Sequence, residues 1–449
     1  MSFINGFGNR FIVPVAVFLS QNRYLKAAKN GIDAIFPFLA TGGLFLLLAY
    51  PALLKIDFAN YGVLGNFLEL WKLVAEEHLQ TLLLPVYLTV GLSAVWVAIA
   101  VGYRLAKHYK LPKLQLGLIS GAAVVLCAAP ENVIVVMKLS AKAFMKDAPF
   151  AIIPDGLIGA QGVLPAIIIA FLVVEIARVI GNAGSRVKLP KSVPPAVVHS
   201  IVGLIIAGLT LIVIFIVNET CQASFNLSFI GCLWLAVNPI LYVVGSLPFI
   251  LLIVLFSQWT WFIGLHGCNT TMHLIQPFMT VFILLNAELV MNGQATTHAF
   301  TDPFRNYTVI IGGNGATLGL VILTRLMTKS QHLQNASKRA IGSVTFNINE
   351  LVTFGYPVIQ NPRLMVPYLV VPVINAAVAY FCISYNMVGA AFCMLPWTMP
   401  APIGAFLSTL DYRAVLLVLG LIILDALIYL PFLLKFDREL VIEERSGVI

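Results

Sequence analysis

Phe346-Asn347-Ile348-Asn349-Glu350-Leu351-Val352-Thr353-Phe354-Gly355-Tyr356-Pro357 puts one carboxylate and two amides inside an apolar surround. Hydrophobic sequence resumes at Leu364 and continues to Cys382. An acidic side chain at bilayer depth is costly, so it has a partner or a task. Gly355 and Pro357 oppose a long straight helix. The stretch reads as a re-entrant or broken segment lining a cavity, where irregular backbone is tolerated in a membrane. The rest of the chain is expected to hold this segment near the middle of a bilayer.

Composition supports that setting. The chain has 449 residues, 60% hydrophobic and 10% charged. A soluble domain carries about 25% charged residues. The fold class that follows is an all-α polytopic membrane protein. Each span needs about 20 apolar residues. That gives about ten transmembrane helices, with re-entrant segments and amphipathic surface helices besides. The net charge is +8, but the basic residues stand in short clusters between apolar runs. This fits the positive-inside rule and not a nucleic-acid face. The six cysteines, Cys127, Cys221, Cys232, Cys268, Cys382 and Cys393, show no CxxC pair and no metal-ligand spacing. No cleavable signal is evident in Phe11 to Leu19.

Outward from the opening stretch, apolar runs alternate with polar connectors. Ile32 to Leu54 is the first span, and Leu82 to Tyr103 the next. Between them, Phe67, Leu70, Trp71 and Val74 recur at helical spacing, which predicts an amphipathic surface helix over Asn66 to His78. Val133 to Ala151 carries Lys138, Lys142 and Lys146 on one face and is expected to lie on the surface. Glu175 and Arg178, three apart, are expected to pair near a membrane edge. Gly181 to Pro195 is a basic, proline-rich connector, expected to be cytoplasmic. Ile230 to Ser257 is expected to break near Asn238-Pro239. Ala414 to Leu434 is the last span, followed by a charged tail. Interrupted segments cluster from about residue 255 to 406, which separates a scaffold-like first half from a substrate-handling second half.

Four residues could carry chemistry. Glu350 can accept hydrogen bonds from sugar-type hydroxyls when ionised, or donate one when protonated; the bland alternative is a structural carboxylate paired with Lys or Arg. His266 stands between Gly264 and Gly267, where backbone can approach closely, and a lone histidine serves structure as readily as function. Trp397, in Pro396-Trp397-Thr398-Met399-Pro400, puts an indole beside unwound backbone. It suits stacking on a pyranose ring and equally an interfacial belt. Asn349 adds an amide next to the carboxylate. Gly312-Gly313-Asn314-Gly315-Ala316-Thr317 lacks the Lys-Ser/Thr ending of a nucleotide-binding loop and reads as a tight packing bend. Metal binding is not expected.

Several ordered motifs now combine: Ala28-x-Asn30-Gly31; Lys188-Leu189-Pro190-x-Ser192-Val193-Pro194; Trp261-Phe262-x-Gly264-x-His266-Gly267; Gly312-Gly313-x-Gly315-Ala316-Thr317-Leu318-Gly319; Ile348-Asn349-Glu350; Asn361-Pro362; and Pro396-Trp397-Thr398-Met399-Pro400. With them the chain resembles, over essentially its whole length, the EIIC membrane component of the bacterial sugar phosphotransferase system. The likeness is to the lactose, cellobiose and diacetylchitobiose branch. Leu351 stands where that family usually has proline.

The resemblance implies a permease that binds a β-linked disaccharide, such as cellobiose or chitobiose, and carries it across the membrane by an elevator-like movement. It implies a homodimer, with residues 1–225 as scaffold and dimerisation part, 226–434 as sugar-binding transport part and 435–449 as a cytoplasmic tail. By motif, His266 and Glu350 bind the sugar and orient the hydroxyl to be phosphorylated, with Asn349 and Trp397 as further sugar contacts. The phosphoryl group would come from a phosphocysteine on a separate EIIB, charged upstream by EIIA, and no cofactor is implied. The expected location is the bacterial inner membrane, multi-pass, with both termini cytoplasmic. The alternative is a proton-coupled secondary sugar transporter with Glu350 and His266 as proton carriers. A sugar-sensing receptor is a third class, against which the lack of a signalling domain argues.

Overall fold

The computed structural model describes residues 13–54, 62–128, 157–184, 195–264, 267–356, 358–359 and 361–446. Among these residues there is no β-strand. A bilayer core supplies no water to a free N–H or C=O, so an apolar segment satisfies its backbone best as a helix. In chain order the helices are α1 (Val13–Gln21), α2 (Arg23–Leu54), α3 (Gly62–Glu77), α4 (Leu79–Thr89), α5 (Ser93–His108), α6 (Lys113–Ala128), α7 (Val163–Gly184), α8 (Pro195–Phe225), α9 (Phe229–Val244) and α10 (Leu247–Phe262). They continue with α11 (Gly267–Met291), α12 (Leu318–Met327), α13 (Gln331–Thr345), α14 (Glu350–Gly355), α15 (Met365–Ser384), α16 (Ala401–Thr409) and α17 (Tyr412–Arg445). A π-helical turn, Arg305–Val309, lies between α11 and α12.

The described residues fall into two compact units. One draws on 22–242 and 276–293, the other on 1–21, 243–275 and 294–449. In the first, α5 packs against α2, α6 and α7, and α2 also meets α3 and α4. Small residues let these helices close up. A Cβ on Gly31 would lie 2.7 Å from the Val101 side chain, and one on Gly117 would lie 2.8 Å from the Ile99 carbonyl. Glu175 and Arg178 pair at 2.6 Å, and Tyr24 and Tyr109 both donate to the same carboxylate. Along α3, Phe67, Leu70 and Val74 form an exposed apolar stripe.

In the second unit, α10 packs on α15, α12 on α13 and α17, and α16 on α17. Its core holds the fully buried rings of Tyr307, Tyr356, Tyr368 and Tyr429. The start of α13 is tied to the end of α17. Asp437 accepts from the Lys329 and Ser330 amides, and Glu444 accepts from the Gln331 and His332 amides and the Ser330 hydroxyl. These bonds explain why helix persists to Arg445, well past the apolar run that ends near Leu434.

Seven helices among the described residues are long and apolar enough to span, or eight if α9 and α10, bent by 71°, form one broken span. The count of about ten is reached only by adding the shorter apolar helices α6 and α12. The break after residue 230 falls elsewhere than the sequence suggests. Pro239 sits inside α9, and the chain turns at Gly245-Ser246. Ser246 is extended there and Pro248 opens α10, a position where its missing N–H costs nothing. Val133 to Ala151 and most of the connector from Gly181 to Pro195 lie outside the described residues.

Candidate functional site

The stretch from Phe346 to Glu350 alternates. Phe346, Ile348 and Glu350 are exposed, while Asn347 and Asn349 are buried. The two inward amides anchor the two outward faces.

Asn347 is the hub. Its backbone is left-handed, φ +62°, which Asn tolerates better than most residues. Its side-chain oxygen accepts from the Gly312 amide at 2.8 Å. Its side-chain nitrogen faces the carbonyls of Trp397 at 2.9 Å, Met399 at 3.2 Å and Asn306 at 3.4 Å. One side chain thus connects the turn before Glu350, the Gly312 loop and the Pro396–Pro400 break.

Asn349 holds the same loop further along. Its amide nitrogen donates to the Asn314 carbonyl at 2.5 Å and reaches the Thr317 hydroxyl at 3.4 Å. Gly312, Gly313, Gly315 and Ala316 all have positive φ, which the three glycines adopt without a Cβ penalty. A Cβ at Gly313 would meet the Asn349 side chain at 2.5 Å, so only glycine permits this approach. Gly315 is gripped on both sides. Its N–H donates to Gln258 Oε1 on α10 at 2.9 Å, and its carbonyl accepts from the Tyr429 hydroxyl on α17 at 2.6 Å. Tyr307 donates to the Pro396 carbonyl at 2.7 Å, steadying the break that carries Trp397.

Glu350 opens α14 on a face where Phe346, Leu351 and Phe354 are also exposed. Trp397 is exposed as well, with its carbonyl taken by Asn347. The structure therefore brings Asn349 into the loop clamp and joins the Trp397 backbone to the turn before Glu350. The carboxylate and the indole are left on open surface. His266 lies outside the described residues. Among the described residues no cluster of three His, Cys, Asp or Glu could hold a metal ion. Chemically, an open carboxylate beside exposed apolar side chains can accept hydroxyl hydrogen bonds while ring faces stack nearby.

Four participants carry no local signal as strong as that of Glu350: Gln258, Tyr307, Asn306 and Tyr429. Gln258 and Tyr429 meet Gly315 across 57 and 114 residues, so no local spacing announces them. Tyr307 and Asn306 fall at the end of a polar interval in otherwise apolar sequence, a signal that could have drawn attention.

Comparison with known proteins bears on what this arrangement serves. The family model "Phosphotransferase system, EIIC" matches residues 29–372. The cellobiose-specific EIIC component of Geobacillus stearothermophilus is 32% identical over 444 residues, covering 97% of this chain and 94% of the relative. The oligo-beta-mannoside-specific EIIC component of Bacillus subtilis (strain 168) is 29% identical, covering 98% and 96%. The lactose-specific EIICB component of Lacticaseibacillus casei is 26% identical, covering 96% of this chain and 71% of that longer relative. In structure, the chain is similar to the crystal structure of the transporter ChbC, the IIC component of the N,N'-diacetylchitobiose-specific phosphotransferase system. The TM-score is 0.83 at 28% identity, covering 98% of this chain and 99% of that one.

Proposed function

The chain belongs to the phosphotransferase system EIIC family, in its lactose, cellobiose and diacetylchitobiose branch, and from that membership we propose that it binds a β-linked disaccharide at Glu350 and His266. It is a multi-pass membrane sugar permease component, which implies a sugar substrate and EIIB and EIIA partners. Membership favours this reading over a proton-coupled secondary transporter.

The sugar is carried across by an elevator-like movement of a transport part made from the later helices, against a scaffold made from the earlier ones. Two copies associate through the scaffold, and both termini face the cytoplasm. The sugar hydroxyl is then presented to a phosphocysteine on EIIB. Glu350 and His266 orient that hydroxyl, Trp397 stacks on a sugar ring, and Asn349 supports the carboxylate from behind.

The observation that carries the site is the alternation at 346–350. Asn347 and Asn349 are committed inward to protein carbonyls, and Glu350 is turned outward on a rigid base. The turn that leads to Glu350 contains the left-handed Asn347, a conformation that persists where surrounding contacts hold it and that clusters at functional sites.

Calorimetric titration of purified protein with cellobiose, N,N'-diacetylchitobiose and lactose tests this. Glu350→Gln and His266→Ala are expected to abolish binding while the protein still inserts. Wild-type affinity in either variant counts against the assignment. Uphill uptake driven by a pH gradient alone, without EIIB, counts against the phosphotransferase mechanism.

A further inference from the structure

Asp425 lies midway along α17 with 0% exposure, and Asn375 on α15 has the same value. The two side chains interact. Gly319 of α12 closes the third side, since a Cβ there would lie 3.0 Å from Asp425 Cβ. Neither carboxylate oxygen of Asp425 and neither polar atom of Asn375 finds a hydrogen-bond partner among the described residues. Four buried polar atoms left this way are rare in native proteins.

The donor inventory decides how they are satisfied. An ionised carboxylate only accepts. It could take one N–H from Asn375, yet it would leave the Asn375 carbonyl oxygen against a negative charge. A protonated carboxyl both donates and accepts. Its O–H meets Asn375 Oδ1 while Asn375 Nδ2 donates to its carbonyl oxygen, so one proton satisfies both groups. A buried ion without a cation would cost several kcal/mol, which favours the same state.

We propose that Asp425 binds a proton at neutral pH, forming a reciprocal acid–amide pair with Asn375 that fastens α17 to α15. One turn along α17, Tyr429 donates to the Gly315 carbonyl at 2.6 Å. The pair therefore sets the Gly312–Thr317 loop on which Asn349 rests. Asp425 is a positioning residue for the site. That consequence rests on the sugar-binding reading above, whereas the proton itself does not.

The other charged groups of α17 stand at its two ends, Arg413 and the run from Lys435 to Arg445, and α15 also carries Tyr380 and Cys382. Tyr429 on α17 and Tyr368 on α15 share the pocket. Helix α12 carries Arg325 in its last turn, and α16 carries none. The π-helical turn carries Arg305 and Tyr307, and α13 carries His332, Lys338 and Arg339.

The test is infrared spectroscopy of wild type and Asp425→Asn in lipid, with cellobiose and N,N'-diacetylchitobiose titrations across neutral to alkaline pH. The wild type is expected to show a protonated carboxylic C=O band at neutral pH that Asp425→Asn lacks. Its sugar affinity is expected to fall about tenfold per pH unit once the proton is lost. Asp425→Asn, which restores an amide pair, is expected to bind sugar at neutral pH and stay flat. Absence of the band in the wild-type minus variant spectrum overturns the proposal. So does loss of sugar binding by a folded Asp425→Asn at neutral pH, an identical pH profile in both proteins, or a sodium requirement that the variant removes. If no disaccharide binds wild type at any pH, the sugar reading fails and the band alone decides the proton.

Discussion

The Asn347 side-chain nitrogen donates to the backbone carbonyl of Trp397 at 2.9 Å, joining the turn before Glu350 to the break that presents the indole. The same amide accepts from Gly312, so removing it releases two unwound segments together. A buried carbonyl left without its donor costs about 1–3 kcal/mol. Asn347→Ala also meets an unfavourable left-handed backbone, and is expected to lose about 2–4 kcal/mol and sugar binding with it. Asn347→Gly removes only the clamp and is expected to fall between wild type and Asn347→Ala in melting temperature. Equal melting of all three proteins would show that the clamp contributes nothing.

Gly315 is gripped by Gln258 and Tyr429 from two different helices. Each bond contributes about 0.5–1.5 kcal/mol to holding the loop. Gln258→Leu and Tyr429→Phe are each expected to weaken sugar affinity up to about tenfold. Both hold the two peptide units that flank one residue, so the double variant is expected to lose less than the sum. A double-mutant cycle by calorimetry reads this directly, and strict additivity would separate the two grips.

Much of the architecture was legible because the bilayer imposes it. The run from Leu364 to Cys382 and the stripe of Phe67, Leu70 and Val74 follow from hydrophobicity and period alone. The pairing of Glu175 with Arg178 follows from three-residue spacing on a helix. Pro239 suggests a break that the structure has at Gly245-Ser246 instead, because proline is tolerated inside membrane helices, where neighbours reclaim the freed carbonyl. The clamps on Gly315 and the acid–amide contact of Asp425 with Asn375 join residues far apart in sequence, and such contacts leave no periodic trace. Asn349 was legible as chemistry, but its amide is spent on the Asn314 carbonyl.

Leu351 occupies the second position of α14, where no intrahelical carbonyl awaits its N–H. The first turn of a helix accepts proline for that reason. Leu351→Pro is therefore expected to fold, to melt within a few degrees of wild type and to keep disaccharide affinity within about threefold. Tenfold weaker binding would mean that this leucine contributes to substrate preference. Side-by-side titrations with cellobiose and N,N'-diacetylchitobiose distinguish the two outcomes.

Asp411 caps α17, accepting from the Arg413 amide at 2.9 Å and from the Gly389 amide at 2.9 Å, and it pairs with the Arg413 guanidinium at 2.8 Å. Burial works to raise its carboxyl pKa, but Arg413 and the two amides together hold it below the usual carboxylate range. The sign follows. A group whose folded pKa is lowered stabilises fully above its ordinary value and loses that contribution as pH falls through the folded value. Asp411 is therefore expected to support the α17 start above about pH 4 and to lose this support under stronger acid. Asp411→Ala removes the cap and is expected to cost about 1 kcal/mol at neutral pH, with the difference from wild type shrinking on acidification. Asp411→Asn keeps an acceptor without the charge, and is expected to recover part of the loss with a flatter acid limb. Thermal unfolding of the three proteins from neutral to acid pH checks this, and parallel curves for wild type and Asp411→Asn would show that the charge adds nothing to the cap.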